Sequence, residues 1–428
     1  MKEEFLYYLW RFQYFNKEAL KTCQGEKLTI LHPGTLNSDA GPDFINSHLI
    51  INDITWHGHV EIHVNASAWQ LHHHQADPAY NNVVLHVVWD NDSIVKRNDG
   101  TTLPTLVLKN RVAIKLITQY KSLLNNTTTI PCAHQLADVS SIVKLSTLDS
   151  TLFQRLTHKN NLVYQLLKRN KNDWEETAYQ LLAYNFGFKI NSSTLLDLSL
   201  CLPLKLIRQN RDSLTQLEAL FFGQAGLLNQ QPTEPDEYWV ALSKAYHYLT
   251  HKYRLSMDKV NKAQWKFFRL RPANFPTIRI SQFVQLLHHH PSIFHLLLNS
   301  PCKVLYTKLA VKQSAYWQRH YHFAQPSKKS IAGLGKTSIE NILINTTVPL
   351  LIAYGKFKDE QVYVDKAVSI LQSLPAEHNK ITRYWASLGM QVNSAFDSQA
   401  LIELFNNFCS KKQCLSCNIG VAFMKGKK

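Results

Sequence analysis

The residues best suited to chemistry are concentrated between positions 43 and 86. A predicted strand at 54–64 places three imidazoles and one carboxylate on one face, because successive side chains of a strand point to opposite sides. These residues are His57, His59, Glu61 and His63. Further histidines and acids lie nearby in the chain: Asp43, His72, His74, Asp77 and His86. Carboxylates and imidazoles together form the ligand set of a divalent metal ion that polarises a phosphate or activates water.

A simpler interpretation of the same pattern stays open. A strand face rich in histidine can be a solvated polar surface, and His86, on an apolar strand, can be a core histidine with satisfied hydrogen bonds. If the residues do bind a metal, the ligand balance decides which one. The two acids, Asp43 and Glu61, suit Mg²⁺ or Mn²⁺, whereas the histidines suit Zn²⁺ or Mn²⁺.

Strand-like segments surround these residues. Asn52 and Asp53 predict a tight turn between two of the strands, because both residue types tolerate positive φ. Residues 67–82 predict a helix or helical turn, and a second hairpin is predicted around Asn98-Asp99-Gly100. The predicted strands are 28–34, 43–51, 54–64 and 83–89, the last of them fully buried.

The remainder of the chain has a different periodicity. Beyond about residue 140, apolar residues recur at three- and four-residue spacing, which is typical of amphipathic helices. The polar run Asn125–Thr129, followed by Pro131, is the best candidate boundary. We therefore predict an α+β domain with a mixed sheet over residues 1–125 and a large, mostly helical, basic domain over residues 126–428.

The N-terminal elements resemble the restriction-endonuclease-like core of the PD-(D/E)xK nuclease superfamily. The motifs that carry the resemblance are GPDF at 41–44, which opens a strand, and VEIH at 60–63, on the next strand. In that superfamily an Asp and a Glu bind Mg²⁺, and a Lys two residues after the Glu assists the attacking water. The resemblance implies metal binding by Asp43 and Glu61. It places His63 where the lysine stands, and imidazole can also transfer protons.

The chain also resembles, over nearly its whole length, a bacterial family typical of Bacteroidota and described as a domain of unknown function. This resemblance implies a bacterial cytosolic setting and no particular activity. The segments that carry it are GPDF at 41–44, WHGHVEIH at 56–63, DPAYNNVVLHVV at 77–88, FGQAG at 222–226, RLRPANFPTIR at 269–279 and CLSC at 414–417.

The charge is unevenly distributed. The net charge is +16, yet residues 1–130 contain 11 Lys and Arg against 12 Asp and Glu. The excess of positive charge therefore lies in the rest of the chain. It favours a polyanionic partner, above all nucleic acid, although a generally basic composition is the alternative.

Basic and aromatic residues alternate at 265–279, where cations can hold phosphates and rings can stack on bases. The basic residues there are Lys266, Arg269, Arg271 and Arg279. The alternative is that the aromatics enter a core and the arginines form ion pairs.

The cysteines indicate a reducing compartment. The chain has seven, an odd number, and its acidic, aromatic N-terminus does not fit a secretory signal but predicts an amphipathic helix docked on the first domain. No apolar run reaches the length of a membrane helix, so we expect a cytoplasmic protein.

Cys409, Cys414 and Cys417 have the spacing C-x4-C-x2-C, a partial site for zinc or an iron–sulfur cluster. The fourth ligand stays open among Cys132, Cys201, Cys302 and a histidine, and three unligated thiols are the alternative.

Three hypotheses for function follow. The first is a nuclease-like, Mg²⁺- or Mn²⁺-dependent phosphodiesterase in which Asp43 and Glu61 hold the metal and His63 assists the water. The second is a non-catalytic nucleic-acid-binding or scaffold protein that keeps a degenerate nuclease core. The third is a hydrolase of a small substrate that uses the histidines as metal ligands. The most informative observation is whether Asp43, Glu61 and His63 meet in the fold.

Overall fold

A computed structural model of the protein describes residues 1–37, 39–255 and 260–425. The chain divides into two compact units. The first unit consists of Met1–Leu148 and Leu404–Lys428, and the second unit consists of Asp149–Glu403. The C-terminal tail, with its three cysteines, therefore belongs to the same unit as the N-terminal strands.

The described residues form the following strands and helices. The strands are β1 (Leu28–His32), β2 (Thr35–Leu36), β3 (Phe44–Ile51), β4 (Ile54–Asn65), β5 (Val83–Asp90), β6 (Thr105–Val107), β7 (His320–His322) and β8 (Gln325–Pro326). The helices are α1 (Glu3–Phe12), α2 (Ala68–Leu71), α3 (Ile114–Asn125), α4 (Ser141–Arg169), α5 (Trp174–Phe186), α6 (Ser192–Cys201), α7 (Leu204–Gln209), α8 (Leu214–Gln224), α9 (Glu237–Tyr253), α10 (Pro276–His289), α11 (Ile293–Asn299), α12 (Cys302–Leu309), α13 (Lys336–Ile342), α14 (Val348–Lys358), α15 (Gln361–Ser373), α16 (Lys380–Ser387), α17 (Ala395–Glu403) and α18 (Asn418–Lys425).

The first unit is built on a mixed sheet with the spatial order β1-β3-β4-β5-β6, and β2 pairs beside β3. β1, β3 and β4 are antiparallel, whereas β5 runs parallel to β4 and β6 runs parallel to β5. Asn52 and Asp53 have φ values of 47° and 64°, which confirms the predicted tight turn between β3 and β4. At this level the predicted architecture is confirmed: a mixed N-terminal sheet is followed by a large helical region.

The predicted second hairpin takes a different form. Hydrogen bonds from Arg97 to Thr101 and from Leu103 to Val95 close the turn, but β6 joins the sheet in parallel with β5. The reason is that β5 is buried on both faces and its outer edge would otherwise keep unpaired backbone groups. β6 satisfies those groups and adds the buried Leu106 to the core.

β4 has an exposed half and a buried half, and this difference decides where a site can form. Ile54 to His57 are exposed, whereas Val60 to His63 are buried. β5 begins at Val83, which pairs with His59, so only the second half of β4 has a strand on both sides. α1 and α2 both pack against β4. α1 buries its apolar side chains, among them Phe5 and Leu9, as the amphipathic pattern predicts.

The second unit is mostly helical, and aromatic rings occupy its core. The ring of Phe283 lies 5.2 to 5.8 Å from the rings of three buried aromatic residues, Tyr179, Phe186 and Phe221. Helices adjacent in sequence pack together, as α5 does with α6, α8 with α9 and α14 with α15. In the part of the chain that the structure describes, no helix is long and apolar enough to cross a membrane.

Candidate functional site

Asp43 and Glu61 are held face to face by hydrogen bonds to each other's strand. Asp43 directly precedes β3, and the pairing of Phe44 with Val60 brings it opposite Glu61 on β4. The backbone N–H of Asp43 donates to Glu61 Oε2 over 3.0 Å, and the N–H of Ile62 donates to Asp43 Oδ2 over 2.9 Å. One oxygen of each carboxylate is therefore fixed by backbone, and the other oxygen points elsewhere.

The second oxygen of Glu61 meets imidazoles. Glu61 Oε1 lies 3.5 Å from His63 Nε2 and 3.3 Å from His74 Nε2. One ring nitrogen from each of His63, His72 and His74 lies within 4.8 Å of the others. His74 Nε2 is buried without a hydrogen-bond partner. Three imidazoles and a carboxylate thus converge, which is a donor set for a transition-metal ion.

Local backbone geometry brings the histidines together. His63 lies on the buried half of β4, His72 directly follows α2, and His74 starts the turn His74–Ala76. Between the last two, His73 has a left-handed conformation with φ 61°, and this reversal lets both neighbours approach His63. The ring centroids of His72 and His74 lie 5.1 and 5.3 Å from that of His63.

His86 contacts the His63 ring from the neighbouring strand, β5. It lies on β5 opposite Glu61, is fully buried, and its Nε2 is 2.9 Å from His63 Nδ1. A hydrogen bond between these two nitrogens fixes the orientation of the His63 ring. His86 therefore orients the His63 ring.

Burial dominates the electrostatics of the site. Burial, followed by the charge of Asp43, raises the pKa of Glu61 well above its usual range, and burial also raises the pKa of Asp43. Burial and neighbouring histidines lower the pKa of His74 to about 4 and that of His63 still further. The imidazoles of His63 and His74 are therefore neutral at pH 7, the form that binds metal, and a divalent cation would favour ionised carboxylates.

Two residues of α1 complete the site, and sequence reasoning missed both. The hydroxyl of Tyr7 hydrogen-bonds the Asp43 carboxylate. Glu3 lies near Asp43 and His72, and its carboxylate accepts a hydrogen bond from the N–H of Val64. One signal in the sequence could have found them. Glu3 and Tyr7 are four residues apart, so they lie on the same face of the predicted helix.

Two of the sequence-predicted ligands lie elsewhere on β4. His57 contacts His48 on β3, and His59 Nδ1 accepts a hydrogen bond from the N–H of Asn46, beside a separate surface groove. The strand rise of about 3.3 Å per residue places His57 about 13 Å from Glu61, so sharing a face does not bring these groups together. Asp77 is close to His74 but accepts from the N–H of Ala79 and caps a turn.

The remaining predicted residues are also distributed through the fold. Cys409, Cys414 and Cys417 are buried in the tail of the first unit. In the second unit, Lys266, Arg269 and Arg271 are exposed, and Phe268, 80% exposed, lies beside the Arg269 guanidinium.

Arg279, the fourth of the predicted nucleic-acid-binding residues, is buried in the second unit. Its guanidinium donates to Gln282 and Asn274 and lies over the ring of Phe188. Any contact of this segment with a nucleic acid would therefore begin at the three exposed cations.

The fold and the site define a protein with a mixed-sheet unit that carries a buried carboxylate–imidazole cluster, joined to a large helical unit. Residues 3–380 match the family described as "Protein of unknown function (DUF2851)", and the chain belongs to this family. Membership of a domain-of-unknown-function family, predicted from the sequence, is thereby confirmed. No curated protein and no solved structure matches the chain.

Proposed function

We propose that the first unit hydrolyses phosphodiester bonds of nucleic acid with the help of a divalent metal ion. The observation that carries the proposal is the position of Glu61, whose Oε1 faces His63 and His74 while its Oε2 is fixed by the N–H of Asp43. The residues that we assign to the ion are Asp43, Glu61, His63, His72 and His74.

The ligand set favours Mn²⁺ or Zn²⁺ over Mg²⁺. Mg²⁺ prefers oxygen ligands, whereas imidazole suits the transition metals. The two carboxylates alone would suit Mg²⁺, but one ring nitrogen from each of three histidines lies within 4.8 Å of the others, and two of these histidines contact Glu61. A bound ion would polarise the phosphate and lower the pKa of the attacking water.

The protein groups around the ion have distinct roles in this proposal. His63 binds through Nε2 only if its Nδ1–H donates to His86 Nε2, and the 2.9 Å separation of those nitrogens allows this. Tyr7 holds Asp43 through its hydroxyl. Glu3, half-buried near His72, is a carboxylate within the site that can accept a proton from the attacking water.

Two further observations support nucleic acid as the substrate. The element order of helix, three antiparallel strands, helix and parallel strand, formed by α1, β1, β3, β4, α2 and β5, is the order that resembles the nuclease core. In addition, the basic excess lies beyond residue 130. His63 stands at the position where the nuclease superfamily has a lysine, and we propose that it binds the ion.

A second candidate is a metal-dependent hydrolase that acts on a substrate other than nucleic acid. The convergence of His63, His72 and His74 favours it, because histidine-rich sites commonly hold catalytic Zn²⁺. Both candidates require the same ion site, so only the substrate separates them.

The experiment uses the full chain, stripped of metal and reloaded separately with Mn²⁺, Zn²⁺ or Mg²⁺. Single- and double-stranded DNA and RNA are the test substrates, and bis(p-nitrophenyl) phosphate is the small control substrate. We expect nucleic-acid cleavage with Mn²⁺ or Zn²⁺ that exceeds cleavage with Mg²⁺. Hydrolysis of the small ester alone would favour the second candidate. No hydrolysis with any ion would leave a binding or scaffold role.

A further inference from the structure

Four buried cysteines of the first unit lie together and form what we call the four-cysteine cluster. Its members are Cys132, Cys409, Cys414 and Cys417. All are free thiols. The thiol of Cys132 is close enough to interact electrostatically with those of Cys414 and Cys417, and Cys409 interacts with all three others. The cluster therefore joins a segment near residue 132 to the C-terminal tail.

The backbone around the cluster is arranged closely. Cys132 precedes the turn Ala133–Asp138, and Cys409 ends the π-helical turn Leu404–Cys409. Cys417 directly precedes α18, whose Gly420 lies against the carbonyl of Cys414 so closely that a Cβ would collide with it. The tail therefore needs glycine at this position in order to bring α18 against the cysteine turn.

The environment of the thiols is one that a metal would stabilise. Each of the four residues is at most 9% exposed, so water has little access to solvate a thiolate there. Four thiols packed in one place gain little over apolar side chains of similar size. A thiophilic metal centre would bind all four sulfur atoms as its ligands and would stabilise them as thiolates.

The spacing of the sulfur atoms indicates which kind of centre fits. Over the described ranges, only His63, His72 and His74 bring three ligand atoms within 4.8 Å of one another. No three of the four sulfur atoms are therefore that close together. A single tetrahedral zinc, with Zn–S distances of about 2.3 Å, would draw its sulfurs to roughly 3.8 Å from one another. An iron–sulfur cluster accepts a wider spacing, because its several iron atoms lie between the cysteine ligands.

We propose that the four-cysteine cluster holds one iron–sulfur centre, to which Cys132 supplies the fourth ligand. The centre fastens the C-terminal tail to the N-terminal helices of the same unit. The turn Cys414–Ser416 packs against α1, and α18 packs against α3. This role is separate from the hydrolytic site and does not depend on the proposed function.

The test begins with the wild-type full chain purified without oxygen. We expect two or four irons per chain with an equal number of acid-labile sulfides, together with a broad visible absorption that bleaches on reduction with dithionite. This measurement needs no variant, so it decides the proposal even if a substituted protein fails to fold. Zinc in place of iron would overturn the assignment of an iron–sulfur centre, and so would a chain that contains neither metal.

Substitutions then identify the ligands. Cys132→Ser should lower the iron content per chain at least about tenfold, as Cys414→Ser should. The matched control is Cys23→Ser, because Cys23 is an exposed free cysteine of the same unit, and its iron content should equal that of the wild type. Full iron content in Cys132→Ser would show that residue 132 is not a ligand and would overturn the proposed ligand set.

Discussion

Glu3 and Glu4, consecutive residues of α1, lie near two different groups of side chains in the first unit. Glu3 lies near Asp43 and His72, whereas Glu4 lies near the thiol of Cys414. α1, which carries both residues, is anchored by fully buried apolar side chains. We therefore expect that a change that loosens the C-terminal tail also disturbs the carboxylate–imidazole site through α1.

Glu61→Gln should strongly lower the rate of metal-dependent hydrolysis with little effect on the fold. The substitution keeps the size of the side chain and an oxygen that accepts from the N–H of Asp43, but it removes the charge that holds the ion. We expect the rate with Mn²⁺ or Zn²⁺ to fall by about two orders of magnitude or more. Initial rates and a circular dichroism spectrum measure the two effects.

The matched control for this variant is Glu18→Gln, which removes an exposed acid of the same unit. Its rate should equal that of the wild type. If Glu61→Gln and Glu18→Gln hydrolysed the substrate equally fast, Glu61 would not be a ligand of the catalytic ion.

His86→Leu should weaken metal binding without removing a ligand. Leucine fills part of the buried space but cannot accept a hydrogen bond from His63 Nδ1, so the ring loses its orientation. We expect the dissociation constant for Mn²⁺ or Zn²⁺ to rise about 10- to 100-fold, as measured by calorimetric titration. His57→Gln, on the exposed half of β4, serves as the control and should leave the constant unchanged. An equal effect of both substitutions would argue against a positioning role for His86.

The exposed cations of the 265–279 segment should contribute to nucleic-acid binding. Replacing Lys266, Arg269 and Arg271 by Gln should weaken binding and lower the slope of log affinity against log salt by roughly 0.9 for each lost phosphate contact. Fluorescence anisotropy with labelled DNA and RNA at several salt concentrations measures both quantities. An unchanged slope would remove this segment from the binding surface.

The control for that experiment replaces three exposed lysines elsewhere in the second unit. Lys303, Lys328 and Lys329 are changed to Gln, which lowers the net charge by the same amount. We expect a smaller change in slope than the 265–279 variant gives. Equal changes would indicate that the total charge, and no particular segment, decides the affinity.

Glu218 should make the stability of the second unit depend on pH. It is buried and accepts hydrogen bonds from Tyr238 and Ser281, and burial raises its pKa above the usual 4.5. The native state therefore holds a proton that the unfolded chain has released. The stabilisation by the protonated group is fully present below pH 4.5 and is lost as the pH rises through the native pKa.

Glu218→Gln tests this dependence because glutamine does not titrate. The denaturant midpoint of the wild type, relative to that of Glu218→Gln, should be highest at and below pH 4.5 and should fall as the pH rises above it. Glu234→Gln, at an exposed acid of the same unit, should give a constant difference from the wild type. A pH-independent difference for Glu218→Gln would contradict the raised pKa.

Much of the first unit's fold follows from local signals in the sequence. The alternation along β4, the turn at Asn52 and Asp53 and the apolar run of β5 each depend on backbone conformation or on neighbours close in the chain. The meeting of Asp43 with Glu61 does not follow from these signals. The register set by the two-residue turn pairs Ser47 with Gly58 and, if continued, would place Asp43 opposite Ile62. A β-bulge between Phe44 and Ser47 shifts the pairing by one residue and brings Asp43 opposite Glu61. The nearness of His72 and His74 to β4 is consistent with the short connection between β4 and β5.

Only the tertiary structure decided which of these groups share a site. His57 and Glu61 are on one strand yet too far apart to bind one ion, whereas Tyr7, from a helix far away in sequence, bonds Asp43. Cys132 and the tail cysteines meet only because the tail belongs to the first unit. Such contacts depend on the long-range packing of whole elements. The local periodicity of the sequence does not determine which helix face packs against which strand.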